Sequence, residues 1–139
     1  MLGRKTYSQE ELDRGRSAID RQLTRYRALV DDLPAGSTSR ADFEAEFLNN
    51  LVLVLDRFYV HRLRGVAGKD TNPLNEVAMI AESVVVADGV LTAGTIAKYV
   101  PEKAVVQLKV GDRIRLSLDD VERLAAAFFA ELERRYLEA

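Results

Sequence analysis

Leu48-Asn49-Asn50-Leu51-Val52-Leu53-Val54-Leu55-Asp56-Arg57-Phe58 decides the fold class. Leu51 to Leu55 is apolar at every position, so the run reads either as a buried strand or as the centre of a helix that is apolar all round. Its surroundings favour the helix. Phe43, Phe47, Leu48 and Leu51 lead into it at helical spacing, Phe58, Tyr59 and Val60 continue it, and no glycine or proline interrupts. A helix of this kind sits centrally, with other helices packed around it.

Outward from that segment the pattern stays helical. Ser8-Gln9-Glu10-Glu11 is a capping box, with a hydroxyl acceptor followed three residues later by a carboxylate. Behind it Leu12, Ile19, Leu23, Tyr26, Val30 and Leu33 recur at helical spacing until Pro34 forbids continuation. The steps of seven between Leu12, Ile19, Tyr26 and Leu33 make a narrow seam suited to lying along another helix. Arg16 and Asp20 have the spacing of an i,i+4 ion pair. Ala35 to Ser39 is a turn, and Ser39 or a neighbour caps the second helix. Asn72-Pro73 starts a third helix, with proline at its first position. Its inner face is assigned to Leu74, Val77, Ala78, Ala81, Val84 and Val85, widened by Met79, Ile80 and Val86, and Asp88-Gly89 ends it. Gly89 to Lys103 reads as irregular.

Period two then replaces period 3.6. Val106, Leu108 and Val110 alternate with polar residues, as do Ile114 and Leu116, and Gly111-Asp112 between them suits a type II′ hairpin turn. Ser117-Leu118-Asp119-Asp120 repeats the capping logic. Val121, Leu124, Ala125, Phe128, Phe129, Leu132 and Tyr136 mark the last helix. The expectation is a mainly α fold: one helical domain over 1–139, a bundle of about four helices with one β-hairpin before the last.

Composition narrows the function classes. A chain of 139 residues, 47% hydrophobic and 30% charged, is ordinary for a folded domain. Its net charge of −2 gives no bulk attraction to nucleic acid or anionic membrane. With no cysteine, disulfides, thiolate metal sites and cysteine nucleophiles are excluded together. No run reaches signal-peptide or membrane-spanning length, so a cytoplasmic location is expected.

The candidate chemistry gathers around the single histidine. Arg57, His61 and Arg64 are spaced to share one face, with Lys69 near in sequence and Asn72 opening a helix N-terminus, which together suit a small anionic ligand. Gly65-Val66-Ala67-Gly68-Lys69-Asp70 lacks the spacing and the hydroxyl of a phosphate-binding P-loop. Ser83 and Thr71 sit in no nucleophile elbow. Glu44, Asp56, Glu76 and Glu82 are carboxylates on apolar helices, where an arginine partner is the ordinary situation. No Glu-x-x-His or calcium-loop spacing occurs, so no metal, cofactor or catalytic set is expected. Asn49 and Asn50 interrupt an apolar helix and must find hydrogen-bond partners or a rim position.

The block Arg62 to Met79, centred on Gly68-Lys69-Asp70-Thr71-Asn72-Pro73-Leu74-Asn75-Glu76, resembles small uncharacterised bacterial proteins of unknown function. So does the tail Val110-Gly111-Asp112-Arg113-Ile114 followed by Phe128-Phe129-Ala130-Glu131-Leu132-Glu133. The resemblance covers about the C-terminal half and implies no activity. Three readings of function result. The first is an interaction module that self-associates, as a homodimer, through the seam of the first helix, the second helix and the twin phenylalanines of the last. The second is a binder of an anionic metabolite at residues 61–76. The third is a weak nucleic-acid binder through Arg14, Arg21 and Arg25 of the first helix, where residues 4–27 carry seven cations against four anions.

Overall fold

The computed structural model describes residues 6–60, 68–93 and 98–137. It holds four helices: α1 (Gln9–Asp31), α2 (Thr38–Val60), α3 (Pro73–Val86) and α4 (Leu118–Tyr136). The 48–58 run lies wholly inside α2. Its Leu51, Val52 and Leu55 are buried, whereas Val54 is 37% exposed.

All four starts follow from capping chemistry. Ser8 accepts from the Glu11 N–H at 3.1 Å and the Glu11 carboxylate accepts from the Ser8 N–H at 3.2 Å. Ser117 and Asp120 repeat the exchange at 3.1 and 3.0 Å. The Asn72 side chain accepts from the Asn75 N–H at 3.1 Å, and Pro73, which lacks an N–H, occupies the first turn. α2 is capped by Ser37, whose hydroxyl accepts from the Arg40 N–H at 3.3 Å. α3 ends as the Asp88-Gly89 pair enters the left-handed region, at φ +53° and +77°.

α4 packs against all three other helices, α2 packs most closely on α3, and α1 lies against α2 and α4. The buried residues form one cluster drawn from all four. α4 supplies its centre: Val121, Leu124, Phe128 and Leu132 are fully buried, and the Phe128 and Phe129 rings meet edge to face 5.4 Å apart. Full burial of each such side chain contributes roughly 1.5–3 kcal/mol before conformational entropy is subtracted. At the chain ends the Tyr7 N–H donates to the Tyr136 carbonyl at 2.6 Å, tying the approach to α1 onto the end of α4.

Two expectations are corrected. The 106–116 hairpin does not form, and the described residues contain no strand. Gln107 adopts a left-handed φ of +61°, which breaks the alternation of Val106 and Leu108. The turn spans Lys109 to Asp112, with the Asp112 N–H donating to the Lys109 carbonyl at 2.9 Å. Gly111 therefore stands at its third position with φ +99°, a type II arrangement, and such turns splay flanking strands rather than pair them. Residues 111–114 pair instead with 89–91. Leu91 donates to Asp112 at 2.9 Å, Gly111 to Leu91 at 2.8 Å and Ile114 to Gly89 at 2.8 Å, around a single antiparallel bridge between Val90 and Arg113. Among the described residues of 89–103 lie that bridge and a 3-10 turn, Pro101–Lys103. The second correction concerns α3: Val85 and Val86, assigned to its inner side, are 68% and 75% exposed.

Candidate functional site

The features read as contact surfaces for a second chain are largely covered within this one. Leu12, Ile19 and Tyr26 of the α1 seam are buried, and so are both Phe128 and Phe129. Gly15 lets two rings reach the α1 backbone: a methyl group there would stand 2.6 Å from Cε1 of Phe58 and 3.0 Å from Cε1 of Phe129. Arg16 does not pair along its own helix with Asp20. It crosses to Glu133 of α4, and with Gln9 it holds the Glu133 carboxyl below the usual carboxylate range. Arg27 reaches Glu122 at 2.7 Å, making a second tie between the same helices.

What stays uncovered lies where α1 and α2 meet near the turn joining them. Tyr26 stacks on Phe47 with ring centres 5.5 Å apart, and Phe43 stacks on Phe47 at 5.7 Å. Burial raises the Tyr26 hydroxyl above its ordinary value, and the nearby Glu44 carboxylate adds to the effect. This column of three rings ends in solvent. Phe43 is 45% exposed and Leu29, across from it on α1, is 51% exposed. Between them lies a cleft of about 210 Å³ walled by Gln22, Arg25, Tyr26, Leu29, Phe43 and Phe47. Apart from Gln22 and Arg25 its walls are apolar, which suits an apolar side chain from a partner. Leu29 falls outside the apolar stripe of α1, and a leucine off the stripe is a sequence signal that would have pointed here.

The anion-binding set is only partly in view. His61 and Arg64 lie outside the described residues. Arg57 and Lys69 are exposed. Asn72 is buried and engaged locally: its oxygen caps α3, and its nitrogen donates to the Asp70 carboxylate at 3.0 Å. Asn75 adds two bonds to the same loop, to the Gly68 and Asp70 carbonyls at 3.1 and 2.9 Å. On α1, Arg14 lies 3.9 Å from Glu10, while Arg21 and Arg25 are exposed.

Glu76 proves to be an anchor. It is 3% exposed, and its two oxygens accept from the successive N–H groups of Val105 and Val106 at 2.8 and 2.9 Å. Burial raises its pKa, and the two backbone hydrogen bonds and the Arg123 charge offset that only in part. Arg123 braces the same segment, donating to the Val105 carbonyl at 2.8 Å while holding Asp119 and Asp120. Beside it the Tyr99 hydroxyl donates to the Leu108 carbonyl. Burial first, then Glu76, Asp112 and Glu102, push that hydroxyl up to about 12. Asn49 plays the corresponding part for the next segment. It donates to the Ile114 carbonyl at 2.8 Å and accepts from the Leu116 N–H at 3.1 Å, whereas Asn50 is exposed. The sequence placed Glu76 on an apolar helix with an arginine as its ordinary partner; its hydrogen bonds go instead to two backbone N–H groups, because nothing in a periodic pattern says which carboxylate a distant segment will need.

Among the described residues no group of three or more acidic or histidine side chains is placed to hold a metal ion, and no helix is long and apolar enough to cross a membrane. Comparison with family models, with curated proteins and with solved structures finds no match to this chain.

Proposed function

We propose that the chain is an interaction module that self-associates as a homodimer, and that its contact surface is the open α1–α2 face. The observation that carries this reading is the Tyr26–Phe47–Phe43 column, which ends in a ring nearly half exposed opposite the equally exposed Leu29. Completing the burial of Phe43 and Leu29 on two copies contributes on the order of 3–6 kcal/mol, taking about half the full-burial value for each side chain. Association itself costs roughly 4–15 kcal/mol in lost freedom, so a weak, concentration-dependent dimer is the expectation.

Light scattering with native mass spectrometry tests it. At tens to hundreds of micromolar the expected mass is that of two chains, and Phe43→Asp returns it to one. A wild type that remains monomeric across that range refutes the reading. A monomer carrying a small extra mass, lost on denaturation, refutes it too and directs attention to an anionic ligand at Arg57, His61, Arg64, Lys69 and Asn72.

A further inference from the structure

We infer that the α1–α2 face is self-complementary in charge, so that its occupant is a second copy related by a two-fold axis parallel to the helices, with Arg25 of each copy opposite Glu46 of the other. The inference rests on the self-association reading above and specifies its geometry.

The argument starts from helical positions. Successive residues are separated by about 100° around a helix axis. Moving around α1 away from α2, the order is Tyr26, Leu29, Arg25. Moving around α2 away from α1, it is Phe47, Phe43, Glu46. Each helix therefore presents a ring of the stack (Tyr26 buried, Phe47 partly buried), then a half-exposed apolar side chain, then a charge, and the two charges have opposite sign. Their heights match as well. The stacked rings put Tyr26 level with Phe47. Arg25 and Glu46 each precede their ring by one residue on antiparallel helices, so they differ by about 3 Å along the axis, within reach of an arginine side chain.

Both side chains are exposed, and among the described residues neither has a partner within the chain. Glu46 also lines a cleft with Asp42, Arg113 and Arg115, which none of the three rings lines, but among the described residues it forms no ion pair with either arginine. A two-fold axis parallel to the helices exchanges the left and right edges of the face. It brings apolar centre onto apolar centre and cationic edge onto anionic edge, twice per dimer. A two-fold axis across the helices would set Arg25 against Arg25.

Charge reversal tests the pairing by sedimentation equilibrium at low and high salt, with circular dichroism confirming that each variant is folded. Arg25→Glu and Glu46→Arg are each expected to weaken the dimer about tenfold at low salt, and less at high salt. The double variant Arg25→Glu with Glu46→Arg is expected to recover most of the loss, because both cross-dimer pairs are rebuilt with their signs exchanged. A wild type that dimerises but ignores both single reversals overturns the pairing while leaving self-association standing. A double variant no better than the weaker single also overturns it. A wild type that never dimerises removes self-association itself, and the pairing with it.

Discussion

Replacing Asn49 by alanine tests whether one side chain fastens the 114–116 segment to α2. The asparagine serves both backbone groups of that segment, donating to the Ile114 carbonyl at 2.8 Å and accepting from the Leu116 N–H at 3.1 Å. The Ile114 and Leu116 side chains are 2% and 3% exposed, so the backbone between them cannot turn outward to water without lifting two core residues. Each bond is worth about 0.5–1.5 kcal/mol net, and a group left without a partner in a dry site costs about 1–3 kcal/mol. Asn49 is itself half-buried, which lets water reach part of the gap, so the expected loss is about 2–3 kcal/mol. For a chain of this size that corresponds to a fall in Tm of roughly 6–15 °C. Urea unfolding followed by circular dichroism gives the free energy directly. Asn49→Asp sharpens the test, because a carboxylate sets a second acceptor against the Ile114 carbonyl. Its folded pKa should therefore rise above the unfolded value, so its stability should increase as pH falls and decline as pH rises through the folded pKa. An alanine variant within about 0.5 kcal/mol of wild type would refute the reasoning, since a loss that small is typical of an ordinary surface substitution.

Two further outcomes follow from the packing of α1 and α3. Gly15→Ala gains up to about 1 kcal/mol of helix propensity but drives a methyl group to 2.6 Å from Phe58 and 3.0 Å from Phe129, so a net loss of about 1–2 kcal/mol is expected. A melting temperature above that of wild type would show that the rings yield freely and the close approach is unimportant. For Glu76 the folded pKa is raised, chiefly by burial, so its contribution to stability is larger below the unfolded pKa of about 4.3 and falls as pH rises through the folded value. Glu76→Gln cannot titrate, and its amide nitrogen faces one of the two N–H groups the carboxylate now satisfies. The variant should be less stable overall, and the wild-type advantage should shrink between acid and neutral pH. An advantage that grows with pH across that window would contradict the assignment.

The helices were legible because their signals are local. Two capping boxes, an Asn-Pro start and stripes at 3.6 spacing depend on nothing distant, and every residue assigned to the inner face of the last helix is buried. The apolar run of α2 was decided by its length and by the absence of breakers. The hairpin was misread because alternation shows that a segment is extended but not what it pairs with. Residues 111–114 found 89–91, and no local pattern joins those two stretches. Val85 and Val86 were misassigned for a related reason. α3 is apolar around most of its circumference, so its sequence gives little contrast between inside and outside. Distant segments decide the matter: Glu76 holds the Val105 and Val106 backbone and Ser83 accepts from the Thr92 N–H at 3.0 Å, so two polar side chains are buried on a side the apolar pattern left open. For the candidate site, Asn72 was correctly read as a cap, whereas the open aromatic face depends on which helix covers which.

The α1 seam shows why its uncovered end falls where it does. A repeat of seven residues on a straight helix drifts by about 20° per heptad relative to a fixed line. One partner helix can follow that drift only by supercoiling, and α1 is instead shared between two. Ile19 and Leu23 face Ala125 and Phe129 of α4, while Tyr26 turns to Phe47 of α2. α1 ends at Asp31, so Leu33, the fourth seam position, lies beyond the helix and is 37% exposed, while Leu29, off the stripe, is 51% exposed. Phe43 lies across from them because α2 is only beginning there and has no neighbour yet on that side. The exposed patch is thus a consequence of handing one helical stripe from α4 to α2. The rest of the seam is already filled by this chain's own side chains.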